Sequence, residues 1–304
     1  MGEKKYNGVL AIVKESGPTS HDVVARLRRI VGMRRIGHCG TLDPLATGLL
    51  IACLGRYTRL ADWLSLGAKE YCTTLILGAT SNTYDAQGEI VPLKGAKPPT
   101  FEELESALVQ FRGEIEQVPP AFSAVKVNGV RSYKLARRNE AVELKARTVR
   151  IGVLEVLNFN YPRVSLRIEC SRGTYIRSLA EDLGKSLGSG AYVETLSRQR
   201  IGAMDLINAF TLEQIESAIA ANELENCFTP PQTALSNIPE IILEKEGLLA
   251  FSHGNPVRRD IVQNPDLSNI YAVYDLESNL YGMGEWEGGL LKPLKVLRNF
   301  SEPS

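Results

Sequence analysis

The spacing of apolar positions changes period repeatedly along the chain, and each change marks a predicted element. Leu10-Ala11-Ile12-Val13 is an unbroken apolar run of strand length, as expected of a buried strand. Ser20 is placed to cap a helix whose apolar face is Val23, Val24, Leu27, Ile30 and Val31, with Arg26, Arg28 and Arg29 turned outward. Leu49–Cys53 and Thr73–Leu77 predict further strands. Thr100-Phe101-Glu102-Glu103 is a capping box, followed by Leu104, Leu108 and Phe111 on one helical face. Val164, Leu166, Ile168 and Cys170 alternate with polar residues, as in a half-buried strand. After a glycine turn, Ile176, Leu179, Ala180, Leu183 and Leu187 return to helical spacing, and Thr211-Leu212-Glu213-Gln214 is a second capping box. Strands and helices mix without the regular βαβ rhythm of a parallel sheet. Beyond Thr229-Pro230-Pro231-Gln232 the pattern shifts to short strands with Gly and Asn turns, clearest at Tyr271–Tyr274 and Pro293–Leu297. The paired prolines are the expected boundary between a large unit and a small β-rich appendage reaching to about Phe300.

With 304 residues, 44% of them hydrophobic, the chain can bury one large core and a smaller one. No apolar run approaches the roughly 18 residues of a membrane span. The run Val9–Val13 is too short for a secretory signal core. Five cysteines, at 39, 53, 72, 170 and 227, show no C-x-x-C spacing, which argues against a disulfide framework or zinc site. A cytoplasmic protein, without a membrane, is the expectation.

Basic and acidic residues balance at 35 each, which alone argues against a nucleic-acid partner. Their distribution changes that picture. Residues 1–60 hold ten Lys/Arg against four Asp/Glu, residues 126–150 eight against two, and residues 206–246 seven Glu with a single Lys. Two basic segments on a neutral chain fit either a localised anionic ligand or ordinary solvated faces.

The densest chemical signal is Gly37-His38-Cys39-Gly40-Thr41-Leu42-Asp43-Pro44-Leu45-Ala46-Thr47-Gly48. Three glycines and a proline in twelve residues predict a constrained loop, neither helix nor strand, between an Arg-rich helix and a buried strand. A carboxylate held there has the fixed setting that a nucleophile or base needs. An Asp-Pro turn can equally use its Asp to bond the backbone. No Gly-Lys-Ser/Thr closes the segment, so it is not a Walker loop, and nothing in the sequence would activate Cys39. Arg177, within Gly173–Leu179, falls at a helix start, where a cation is unfavourable unless an anion compensates. A neighbouring carboxylate would be oriented by its guanidinium, although a plain surface arginine also fits. Tyr71, in Lys69-Glu70-Tyr71 at the opening of a strand, either stacks on a nucleobase or sits at the core edge. Val118–Lys126 runs into Asn128-Gly129, a hairpin signal, and through cations to Arg150, a pattern suited to a projecting element that grips phosphates.

Together, Lys14-Glu15-Ser16-Gly17-Pro18-Thr19-Ser20, Gly37–Gly48, Lys69–Tyr71, Val118–Lys126, Cys170–Arg177 and Ser197-Arg198-Gln199-Arg200-Ile201-Gly202 resemble, in order, the motifs of the bacterial tRNA pseudouridine-55 synthase family. The resemblance covers about residues 8–205. It implies an α+β pseudouridine synthase fold, a mixed, largely antiparallel sheet flanked by helices, plus a small β-rich C-terminal PUA-like domain. The implied division is a catalytic domain over 1–232, with an RNA-gripping thumb at about 118–150, and a PUA-like RNA-binding domain over 236–301.

In that family's pattern the nucleophilic aspartate falls on Asp43, its partner arginine on Arg177, and the aromatic against the target base on Tyr71. The histidine that fills the stack left by a flipped nucleotide falls on His38. The substrate-contacting tyrosine and leucine fall on Tyr175 and Leu196, and Asp85, Lys14 and Lys126 are expected among the RNA-binding residues. Gly78–Asp85 departs from the family at Ser81 and Asn82 but keeps Thr83 and Asp85. The implied activity is isomerisation of one uridine in the T-arm of transfer RNA, with no cofactor and no metal. The expected partner is tRNA, bound by a monomer with no obligatory protein partner. The nearest alternative is a guide-RNA-dependent relative working within a ribonucleoprotein. A non-catalytic RNA-folding protein and a generic Asp-dependent glycosidase are the alternatives from other classes.

Overall fold

The structure, a computed structural model, describes residues 6–127, 129–136, 138, 140, 143–258 and 269–298. Asn128 of the expected hairpin turn, and residues 259–268 and 299–301 of the expected C-terminal domain, lie outside the described residues. The largest element is a ten-stranded sheet. Its main path runs Phe228–Thr229, Gly8–Lys14, Thr47–Leu54, Ala191–Ile201, Lys69–Leu77, Arg163–Cys170, Arg147–Asn160 and Gly113–Gln117. Ile36–His38 and Met204–Asp205 pair alongside. Thr47–Leu54 runs parallel to Ala191–Ile201, with Thr47 opposite Ser197 and Gly48 opposite Arg198, and the other junctions are antiparallel. This is the mixed, largely antiparallel α+β architecture that the sequence led us to expect.

Strand burial explains the sequence patterns. Gly8–Lys14 and Thr47–Leu54 are covered on both faces, hence their unbroken apolar runs. Leu10, Ile12, Leu50 and Ala52 enter one core with Val23, Leu27, Leu179 and Leu183 of the flanking helices. Val9, Ala11, Leu49 and Ile51 enter a second core, completed by Ala272, Tyr274, Leu280 and Met283. Lys69–Leu77 instead alternates buried with half-buried positions, packing one face and wetting the other.

The helix Ser20–Val31 is capped by Thr19 rather than Ser20. Thr19 Oγ1 accepts from the Asp22 amide while the Asp22 carboxylate accepts from the Thr19 amide, a reciprocal cap worth about 1 kcal/mol. The boxes at Thr100 and Thr211 open Phe101–Val109 and Leu212–Ala220 as the sequence indicates. The segment Gly37–Gly48 is not loop throughout. Ile36–His38 pairs with Ala52–Leu54, and a strand resumes at Thr47, because backbone ladder bonds are available on both sides. Only residues 39–46 are irregular.

The paired prolines do not form a free linker. Phe228–Thr229 joins the edge of the large sheet, and Pro231–Ala234 is a helical turn. Beyond them Glu240–Ile242, Ile270–Tyr274, Leu280–Glu287, Leu290–Val296 and Val257–Arg258 form a five-stranded sheet. It encloses its own core around Phe251, Tyr271 and Val273 and lends its other face to the second core. No helix among the described residues is long and apolar enough to cross a membrane.

Candidate active site

The connection over residues 39–46 is held from below by buried polar side chains. Lys14, 0% exposed at the end of its strand, donates to the carbonyls of Glu15 (2.9 Å), Pro44 (3.2 Å) and Ala46 (2.6 Å). Burial draws its pKa down to about 8, against the raising effect of the Asp43 charge. Lys14, expected among the RNA-binding residues, directs its donors at backbone carbonyls, two of them in the Asp43 loop and the third on Glu15. The Ser20 hydroxyl, released from capping, donates to Leu42 O (3.1 Å) and accepts from Leu42 N (2.9 Å). Arg198, 1% exposed, donates Nε to Leu49 O (2.8 Å) and Nη2 to Gly40 O (3.3 Å). Displacing the loop would leave these groups unsatisfied, at roughly 1–3 kcal/mol each and more for the cations. Gly48, at φ +100°, is required for the parallel junction. A Cβ there would lie 2.3 Å from the Arg198 carbonyl oxygen.

Asp43 emerges from this pinned loop, where it meets Arg177. The guanidinium is 4% exposed in the first turn of the helix Ile176–Ser186. It donates Nε to Asp43 Oδ2 at 2.8 Å, Nη1 to Thr83 O at 3.0 Å and Nη2 to Phe122 O at 2.9 Å. Asp85 Oδ2 lies 3.6 Å from the same Nε, and Asp85 Oδ1 accepts from Thr83 Oγ1 (2.6 Å) and Gln87 N (3.0 Å). The anion that a cation at a helix start demands is thus supplied twice over. One planar side chain ties together the Asp43 loop, the turn at Thr83–Asp85 and the segment through Phe122.

These groups open onto a cleft of about 970 Å³. Tyr71, Leu196 and Tyr175 line it together with Asp43, Asp85 and Arg177. Tyr71 is opposite Arg198 in the sheet, and burial raises the pKa of its phenol. Tyr175 is held by its backbone: Gln117 Oε1 accepts from its amide (2.7 Å) and Gln117 Nε2 donates to its carbonyl (3.1 Å). Arg147 lies 5.8 Å from the Tyr175 ring centre.

His38 is half-buried at the end of its strand and off the cleft wall. It meets His21, which does line the cleft, edge to face at 5.1 Å. Burial first, then the neighbouring His21, Arg198 and Arg131, draw the His38 pKa down to about 4, so its ring is neutral near pH 7. Lys126 is exposed on a short hairpin, Lys126–Val127 with Val130–Arg131, and it is Arg131 of that hairpin that reaches the cleft.

Sequence reading gave no site role to Ser20, Gln117, Arg198 or Lys69. Arg198 and Lys69 do lie inside motifs singled out there. The available signal was the two-residue period of Lys69–Leu77, which puts Lys69 on the same buried face as Tyr71.

Three family models match the chain in succession. They are the TruB family pseudouridylate synthase N-terminal domain over residues 28–176, the tRNA pseudouridylate synthase B C-terminal domain over 177–236, and the pseudouridine synthase II TruB C-terminal domain over 239–297. A relative named tRNA pseudouridine synthase B, from Dehalococcoides mccartyi, is 40% identical over 291 residues, covering 95% of this chain and 96% of its own length. One of the same name from Mycobacterium leprae is 40% identical over 299 residues, covering 95% and 90%. Among solved structures, a Cbf5–Nop10–Gar1 complex gives a TM-score of 0.77 at 24% identity, covering 96% of this chain and 85% of that one. An H/ACA ribonucleoprotein bound to a substrate RNA containing 2′-deoxyuridine gives 0.75 at 23%, covering 97% and 86%. The solved structures share the fold.

Proposed function

Because the chain belongs to the TruB family of pseudouridylate synthases, we propose that it converts uridine 55 in the T-arm of transfer RNA to pseudouridine, with Asp43 attacking the target nucleotide. The observation that carries this reading is the Asp43–Arg177 pair, 2.8 Å apart in a cleft that also holds Tyr71. The reaction breaks the C1′–N1 bond, turns the uracil over and joins C1′ to C5. The proton leaves C5 and N1 gains one, so nothing is oxidised or consumed.

A carboxylate held by one oxygen leaves the other free to attack the base or the sugar. The detached uracil must not escape, which calls for a water-poor pocket with a flat wall such as the Tyr71 ring. The target nucleotide must first leave its stack, at a cost of a few kcal/mol. His38, neutral and backed by His21, suits the space it vacates. Leu196 and Tyr175 border the base, and Lys126 with its neighbouring cations grips the backbone. Residues 1–232 act as the catalytic unit, with 118–150 as the thumb, and 236–301 as a PUA-like RNA-binding module. The enzyme works as a monomer in the cytoplasm without a guide RNA. Its match to the tRNA synthase relatives along nearly their full lengths supports that independence.

The test is release of tritium from [5-³H]uridine in a bare T-arm stem-loop. Wild type should release it with no added RNA or protein. Asp43→Asn should release none while binding the stem-loop within a few-fold of wild type. Near-normal turnover by that variant would remove Asp43 from the chemistry, and no release by wild type would overturn the substrate assignment.

A further inference from the structure

Among the described residues, Lys69 is the one buried cation on the cleft wall whose donors are left largely unused. It is 7% exposed, and its ammonium reaches only the Ser65 carbonyl, at a long 3.4 Å. An ammonium carries three donors and can be satisfied by nothing but acceptors. The other buried cations around the site show what satisfaction looks like here. Lys14 has three carbonyls, Arg198 two, and Arg177 two carbonyls and two carboxylates. No carboxylate among the described residues lies within ion-pair distance of Lys69. The nearby Cys170 thiol cannot serve as the missing anion, since burial pushes its pKa up to about 11.

A second cation shares the place. Arg172 lies in the turn before the Ile176–Ser186 helix, exposed and lining the same cleft, with no acceptor among the described residues. Burial first, then the Arg198 charge and, more weakly, that of Arg172 draw the Lys69 pKa down to about 8. Two like charges converging beside a cleft oppose each other unless an anion comes between them. A uracil carbonyl would take one donor and leave that repulsion in place, whereas a phosphodiester accepts from both groups and cancels it.

We propose that Lys69 and Arg172 form a phosphate subsite, binding one backbone phosphodiester of the RNA beside the nucleotide that faces Asp43 and Tyr71. The assignment rests on the uridine reading of the same cleft. The subsite fixes the strand on the Lys69 side of Tyr71, so that rotation of the flipped nucleotide takes place about a tethered backbone.

The test uses T-arm stem-loops that each carry one neutral methylphosphonate linkage within two nucleotides of the target uridine. In wild type, one linkage should weaken binding about tenfold. Lys69→Met should bind the unmodified RNA about tenfold more weakly and be indifferent to that linkage. Arg172→Ala, altered at an exposed position where folding is not at stake, should show the same loss of sensitivity to a smaller degree. Lys69→Arg should keep most of the affinity and the sensitivity. For either loss variant the slope of log K against log salt should fall by about 0.7, one single-strand phosphate's worth.

If every methylphosphonate weakens both loss variants by the same factor as wild type, the subsite is wrong. Should Lys69→Met fail to fold, Arg172→Ala alone decides. Pseudouridine formation on the unmodified RNA is measured with the same wild-type preparation. Formation with additive penalties removes the subsite only, whereas absence of formation removes the uridine reading and the subsite with it.

Discussion

Two segments facing the cleft, the connection over residues 39–46 and the stretch 118–150, are flanked or lined by cations and are built in opposite ways. Around the first, each cation is spent on the protein itself: Lys14, Arg177 and Arg198 are buried and directed at backbone carbonyls or carboxylates. Along the second, Lys126, Arg131, Lys134, Lys145 and Arg150 are exposed, and the short hairpin at its centre lies outside the large sheet. Fixing a carboxylate to within a fraction of an ångström requires groups that cannot relax. Holding a polyanion requires charges that still have free donors. The same residue types do both jobs, and whether the protein itself uses up their donors decides which.

The sharpest way to break this contrast is Arg177→Lys. An ammonium keeps the charge but cannot reach Asp43, Thr83 and Phe122 at once, so kcat should fall by about 10²–10³ with RNA affinity within a few-fold. Single-turnover kinetics would check it, and a change confined to affinity would erase the distinction.

The mirror experiment neutralises Lys126, Lys134 and Lys145 together. Affinity should drop roughly tenfold or more, and the salt slope should flatten by about 2, with single-turnover rates at saturating enzyme unchanged. An unaltered slope in filter binding would show that these cations face no phosphate.

The smallest effect concerns His38, whose pKa is raised in the unfolded chain relative to about 4 in the fold. Between roughly pH 6.5 and 4 the unfolded chain binds a proton that the folded one refuses. The stability linked to this group is complete above about 6.5 and lost as pH falls through that window. His38→Gln should lose less Tm than wild type between pH 7 and 4.5. The triple lysine variant should track wild type over the same range.

How much of this could be read in advance depends on whether local pattern or tertiary contact sets each feature. The boxes at Thr100 and Thr211 are local hydrogen-bond patterns, and both helices open there. Thr19 has Asp22 three residues on, the capping-box spacing, whereas Ser20 has Val23 there, so the local pattern favours Thr19 as the cap. What no local pattern shows is that Leu42, 22 residues away, takes up the Ser20 hydroxyl. Lys14 shows the same dependence on distant contacts. A lysine in a basic N-terminal segment looks solvated until the loop carbonyls that cover it are in place. Asp43 and Arg177 are 134 positions apart, and their proximity follows from no periodicity. Only the ordered family motifs suggested it. The interruption of Gly37–Gly48 by strand pairing reflects the register with Ala52–Leu54, which single-segment glycine content does not encode.

The second core has a consequence for how the molecule could be taken apart. Val9 and Ala11 belong to the strand whose Lys14 holds the Asp43 loop, Leu49 and Ile51 to the strand that leaves that loop, and their outer side is roofed by Ala272, Tyr274, Leu280 and Met283. A cut at the paired prolines would not detach a handle from a finished enzyme. It would lift the lining off the two strands that hold Asp43 in place, so the terminal sheet serves as a buttress to the cleft whatever else it touches.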